Sequence, residues 1–168
     1  MRTSIWLSAL IVLFTLAGCN KAPAEFSPPG GNFKVSMPGK PTEKTQDHGN
    51  SAATTHLYAS ESGGMGYIVG YTESANFTAG IATDKLLDAA RDGALQSSSF
   101  KLLSEQRITV DGNPGRDLSM RNGQGYTMRL KLAVAGDRLY QVGVAAKNDE
   151  ASSPKIETYV QSFHITGK

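Results

Sequence analysis

The sulfur of Cys19 is the only thiol in the 168 residues of the chain, and it follows two small residues, Ala17 and Gly18. A single cysteine excludes an internal disulfide and any thiolate-cluster metal site, so the chemistry left to it is modification of the sulfur itself. Other residue types that carry chemistry are scattered. A hairpin turning at residues 49–52 puts His48 near Ala53 and leaves His56 further along, while His164 is far away in sequence, so no metal site is expected. Asp84 and Asp88 stand four apart on one helix face, where such a pair either binds a cation or is simply solvated. Gly63-Gly64-Met65-Gly66 lacks the lysine of a phosphate-binding loop and falls between two strands, which reads as a hairpin turn. There is no Gly-x-Ser-x-Gly elbow, P-loop or His-Glu-x-x-His helix. No catalytic residue, metal or cofactor is therefore assigned.

What precedes Cys19 gives its sulfur a role. Met1-Arg2 is a short basic start, Ile5 to Leu16 is an apolar run, and Leu16-Ala17-Gly18-Cys19 is a small-residue end. The run is too short for a hydrocarbon core that needs about 20 residues, so it suits a cleaved signal better than a permanent span. Leu16-Ala17-Gly18-Cys19 resembles the lipobox of bacterial lipoproteins. That resemblance implies a diacylglyceryl group on the Cys19 sulfur, cleavage between Gly18 and Cys19, and a membrane held through acyl chains of the palmitate type. The alternative is an ordinary secretory signal that contains a cysteine. One acyl chain binds only marginally and two signals make a stable anchor, so a chain modified in this way stays on its membrane. In Gram-negative lipoproteins an Asp after the lipidated cysteine retains the protein in the inner membrane. Here the residue is Asn20, which implies the outer membrane, facing the periplasm.

Removing residues 1–18 leaves 150, enough for one domain with its own core. Residues 19–31, rich in Pro and Gly, read as the lipidated end and a tether, with the domain from 32 to 168. The formal net charge is +2, too close to neutral for an electrostatic grip on nucleic acid. One charged feature stands out: Arg107, Arg121, Arg129 and Lys131, diluted by Glu105 and Asp117, fall on one face of the strands around them. Beside a membrane such a strip is a candidate docking face for an envelope protein or an anionic lipid headgroup. An antiparallel sheet with one wet face needs charges there in any case.

The elements that position these residues follow from hydrophobic period. Phe33, Val35 and Met37 alternate in a first strand, Thr42 to His48 and Thr54 to Ala59 flank a Gly-Asn-Ser turn, and Tyr67, Val69 and Tyr71 mark a fourth. The period changes at Thr83, where Leu86, Leu87, Ala90 and Ala94 line one side of a helix and Gly93 offers close approach to a sheet. A four-strand meander follows, turning at Asp111-Gly112-Asn113, Asn122-Gly123 and Gly136-Asp137, with its alternating apolar residues read as a single buried face. Ser153-Pro154 opens a last helix whose Ile156, Tyr159, Val160 and Phe163 must pack on the sheet. The sum is a single α+β domain with a large, mostly antiparallel sheet of about eight strands, a mid-chain helix and a C-terminal helix.

Phe26-Ser-Pro-Pro-Gly-Gly-Asn-Phe33, Met37-Pro-Gly-Lys-Pro41, the mid-chain helix, Gly112-Asn-Pro-Gly-Arg-Asp117, Arg138-Leu-Tyr140 and Val160-Gln-Ser-Phe163 together resemble bacterial proteins related to the PsbP and Mog1 fold. The resemblance covers roughly residues 26 to 165 and implies an accessory or binding role rather than a reaction. It brings no family active-site residues with it. The expected function is a membrane-anchored envelope lipoprotein that binds a partner without catalysis. The alternative is an envelope enzyme, hydrolase-like, that lacks a recognisable motif.

Overall fold

The computed structural model describes residues 22–47, 53–77, 81–96 and 98–167. The signal, Cys19, Asn20, His48 and the Gly-Asn-Ser turn lie outside these residues. The strands are β1 (Ala24–Phe26), β2 (Phe33–Met37), β3 (Thr42–Asp47), β4 (Ala53–Ser62), β5 (Met65–Ser74), β6 (Phe100–Val110), β7 (Asn113–Asn122), β8 (Tyr126–Ala135), β9 (Arg138–Lys147) and β10 (His164–Ile165). Helix α1 (Thr83–Gln96) joins β5 to β6, and α2 (Pro154–Gln161) follows β9. Seven strands form one antiparallel sheet in the order β3-β4-β5-β9-β8-β7-β6, and β1, β2 and β10 form a separate three-stranded ribbon.

The turn residues explain the hairpins. Gly63 and Gly64 take φ of +58° and +76°, the double positive φ that a tight two-residue turn between twisted strands needs. Glycine supplies it without a Cβ penalty. Asn122 closes the β7–β8 connection by accepting hydrogen bonds from the backbone N–H groups of Gln124 and Tyr126, at 3.0 and 2.9 Å.

Both faces of the large sheet are buried, which corrects the expectation of a single apolar face. Tyr67, Val69 and Tyr71 of β5 and Tyr140, Val142 and Val144 of β9 face the ribbon and α2, where Phe33 is fully enclosed and the Phe163 ring lies tilted with its centre 5.6 Å from that of Phe33. Leu118, Met120, Leu130, Leu132 and Val134 face the other way, against Leu87 of α1. The register gives the reason. Across the two-residue Gly136-Asp137 turn Val134 pairs with Leu139 and Ala133 with Tyr140, so even positions of β8 share a face with odd positions of β9. Enclosing a side chain the size of Phe33 contributes about 1.5–3 kcal/mol.

The last helix packs as its stripe requires. Ile156, Tyr159 and Val160 are buried, and the Tyr159 hydroxyl donates to the Ile68 carbonyl at 2.9 Å. Two expectations change. Residues 24–26, assigned to the tether, form β1, with Ala24 opposite Met37 and the Phe26 ring 5.0 Å from Tyr58. The described fold therefore includes residues 24–26 of the segment read as tether. Gly93 does not serve close packing, because a Cβ there would meet nothing within 4 Å.

Candidate functional site

The start of α2 stands over the β6–β7–β8 part of the sheet and leaves a polar cleft of about 370 Å³ between them. Ser104 and Gln106 of β6, Ser119 of β7, Thr127 of β8 and Ser152–Ser153 ahead of α2 line it. Strand alternation puts these side chains there. Gln106 pairs with Asp117, Ser104 with Ser119, and Ser119 with Arg129, so all of them project to the α2 side. Pro154 opens the helix at a position where a missing N–H costs nothing, and this sets the wall of the cleft.

Arg129 forms the floor and is fully engaged. Its Nε and Nη2 donate to the two oxygens of Asp117 at 2.9 and 2.7 Å, and its Nη1 donates to Glu157 at the first turn of α2. This bidentate bond to Asp117 raises the guanidinium's hold on its proton above the ordinary arginine value, outweighing the opposing effect of burial. Two carboxylates around one guanidinium leave the floor locally anionic, with fixed geometry. It offers hydroxyl, amide and carboxylate groups to a polar ligand, and it is poorly suited to a phosphate.

Of the four basic residues read as one strip, Arg121, Arg129 and Lys131 project to the α2 side of the sheet, in different surroundings, and Arg107 does not. Arg129 lies in the cleft, Arg121 is exposed at the end of β7, and Lys131 lies under α2 with its Nζ 3.4 Å from the Val160 carbonyl. Arg107 lies on the opposite side of the sheet. It pairs across the ladder with Arg116, on the α1 face, and donates to Asp84 at 3.2 Å. The parity of β6 relative to β7 follows from the turn at Asp111-Gly112, and it exchanges the faces assigned from β6 alone.

Asp84 and Asp88 serve the fold. Arg116, only 4% exposed, reaches Asp84 at 2.6 Å, Glu105 at 3.0 Å and Asp88 at 3.5 Å, and Arg91 of α1 reaches Glu105 at 3.0 Å. These contacts clamp α1 to β6 and β7. The hydrogen bond from Arg116 holds the Asp84 carboxyl below the usual carboxylate range. The remaining histidines are separate: His56 stacks on Tyr71 at 4.8 Å, and His164 lies 3.1 Å from Asp111. Among the described residues no group of three or more His, Cys, Asp or Glu side chains is placed to hold a metal ion. No helix among them is long and apolar enough to cross a membrane.

A second cleft, of about 360 Å³ and more apolar, lies where the chain enters the domain. Ala22 and Pro23 line it with Pro38, Tyr67, Lys155 and Tyr159. Sequence reasoning missed this convergence, and it missed Glu157 as a partner of Arg129. The spacing of Lys155 and Glu157 on α2 carried no sign of which strand each would meet.

Compared with known proteins, the chain matches no family model and no curated protein. Among solved structures it is similar to the solution structure of cyanobacterial PsbP (CyanoP) from Synechocystis sp. PCC 6803, with 14% identity, 91% of this chain and 98% of that chain covered, and a TM-score of 0.57. It is also similar to the crystal structure of the Saccharomyces cerevisiae Ran-binding protein Mog1p, with 12% identity, 86% and 95% covered, and a TM-score of 0.49. The corresponding figures for a protein of unknown function, PA94 from Pseudomonas aeruginosa, are 12%, 71%, 92% and 0.43. The expected α+β domain of PsbP type is thus the fold observed, and the likeness is one of fold.

Proposed function

We propose that the chain is an envelope lipoprotein, anchored in the outer membrane through lipid on Cys19, whose domain acts as a non-enzymatic binding or accessory module on the periplasmic side. The observation that carries this reading is the position of Ala22 and Pro23 in the cleft beside α2. Only Asn20 and Lys21 separate Cys19 from Ala22, and the three residue steps span at most about 10 Å, so an anchor on that sulfur holds the domain against the bilayer. The polar cleft above Arg129 is the docking site in this reading. Its partner is a polar segment of an envelope protein, bound through Ser, Thr and Gln side chains and the carboxylate-rich floor. An enzyme reading needs a carboxylate or imidazole free to move a proton, and in this cleft Asp117 and Glu157 are both occupied by Arg129.

Photo-crosslinking in cells from Ser152, on the rim of the cleft, tests this reading against the Cys19→Ala chain and against Glu61, outside the cleft. A discrete band from position 152 that requires Cys19 and is absent from position 61 is the expected result. A correctly anchored protein giving no band at 152, or the same bands at both positions, would overturn the docking assignment.

A further inference from the structure

Lys34 and five arginines, Arg91, Arg107, Arg116, Arg129 and Arg138, each hold at least one carboxylate. Among the described residues Lys44, opposite Leu57 in β3, and Lys85, in the first turn of α1, are exposed without an ion pair, and so are Lys40, Lys101, Arg121, Lys147 and Lys155. Register places these last five at one end of the sheet. Lys101 lies opposite Arg121, Arg121 opposite Thr127, Lys147 opposite Tyr126, and Ala145 opposite Gly66 beside the β4–β5 turn. Lys155 stands over that same turn, and Lys40 lies in the turn between β2 and β3.

This is the end at which Ala22 and Pro23 enter the fold. Glu61, Asp149 and Glu150 share it, so cations remain in excess. Glu73, Asp111 and Asp137 stand at the far end, where Arg138 is already paired with Glu73. Like charges facing each other across a ladder, as Lys101 and Arg121 do, cost stability unless an external anion compensates them. Large apolar side chains are exposed at the same end: Leu102 at 37%, Leu103 at 55% and Tyr126 at 37%. Cations, a tyrosine and leucines beside an anchor make a surface matched to a headgroup region, where basic residues meet phosphates and amphipathic rings settle at the interface.

We infer that the tether end of the domain is a bilayer-binding surface for anionic phospholipid headgroups, which stands the strands upright on the membrane and turns the acidic end outward. The inference rests on the anchored reading above and assigns the surface that the anchor brings to the membrane.

The test uses lipidated full-length protein in vesicles of phosphatidylcholine, with or without phosphatidylglycerol. A fluorophore sits on Ser62→Cys or on Asp137→Cys and is quenched by a headgroup nitroxide. With phosphatidylglycerol, quenching at position 62 should exceed that at position 137 severalfold. Molar salt, which cuts the screening length to about 3 Å, should remove the difference. Sedimentation of an unlipidated chain that begins at Asn20, without the apolar signal, with the same vesicles separates the two ideas. Binding should need phosphatidylglycerol and weaken about fivefold for each of Lys101→Gln, Arg121→Gln and Lys147→Gln. Lys44→Gln and Lys85→Gln should change it little. If Cys19 proves unmodified, the anchored reading fails while this sedimentation still decides the surface. Equal quenching at both positions, or binding indifferent to phosphatidylglycerol and to the three substitutions, would overturn the inference.

Discussion

The Arg129 guanidinium meets the Asp117 carboxylate edge to edge from the neighbouring strand, with both contacts under 3 Å, while Asp117 itself is only 12% exposed. Removing one partner of such a pair leaves a desolvated charge behind. Arg129→Met is therefore expected to cost about 1–3 kcal/mol in urea unfolding, discounted from a deeper pair because Arg129 is partly solvated. Asp117→Asn, which keeps the shape, should cost less. A loss below about 0.5 kcal/mol for Arg129→Met, the scale of a neutral surface change, would contradict the clamped floor.

Arg116 presents a stronger case, since it is enclosed and bridges α1 to the sheet through Asp84 and Glu105. Arg116→Met should destabilise by about 2–3 kcal/mol, because its acidic partners lose their counter-charge but can turn toward water. Hydrogen exchange should report faster opening of α1 than of β9. Uniform acceleration would indicate that the network is not what holds the helix.

Gly93 lies inside α1 with open space where a Cβ would go. Gly93→Ala should therefore stabilise the domain by about 0.5–1 kcal/mol, by restricting the unfolded chain and raising helix propensity. Thermal unfolding monitored by circular dichroism measures it, and a decrease in midpoint would show an unrecognised contact at that position.

Burial pushes the hydroxyl pKa of Tyr58, Tyr67, Tyr71, Tyr140 and Tyr159 above the ordinary tyrosine value. A folded-state pKa raised in this way means the unfolded chain loses these protons first. Stability is then unaffected well below pH 10 and falls as pH rises through it. Each tyrosine still protonated in the fold steepens the fall by about 1.4 kcal/mol per pH unit. Tyrosinate absorbance should appear together with loss of the fold. Five tyrosines ionising near pH 10 in a protein that stays folded would contradict this.

Much of the scaffold was readable from period and turn chemistry. Glycine at 63, 64 and 112, the Ile156–Phe163 stripe and the alternation in β8 each carried a local physical signal. Which side of the sheet each strand buries was not readable, because alternation gives a period of two without a phase and the phase is passed on by turn length. Arg107 and the supposed single apolar face were misassigned for that reason. β1 and β10 are too short to show a period, and their pairing with β2 depends on contacts distant in sequence. The candidate site suffered most: Arg129 was legible as a charge, but its neutralisation by Asp117 and Glu157 depends on where α2 docks. The basic end of the domain collects residues from five separated segments, and no window of sequence contains them.

Mass spectrometry of the protein extracted from outer-membrane fractions tests the anchored reading most directly. The expected result is a mature N-terminus at Cys19 carrying a diacylglyceryl mass, resistant to high-salt washing, with Cys19→Ala absent from that fraction. Recovery of an unmodified Cys19 in the soluble fraction, with Cys19→Ala distributed in the same way, would contradict it.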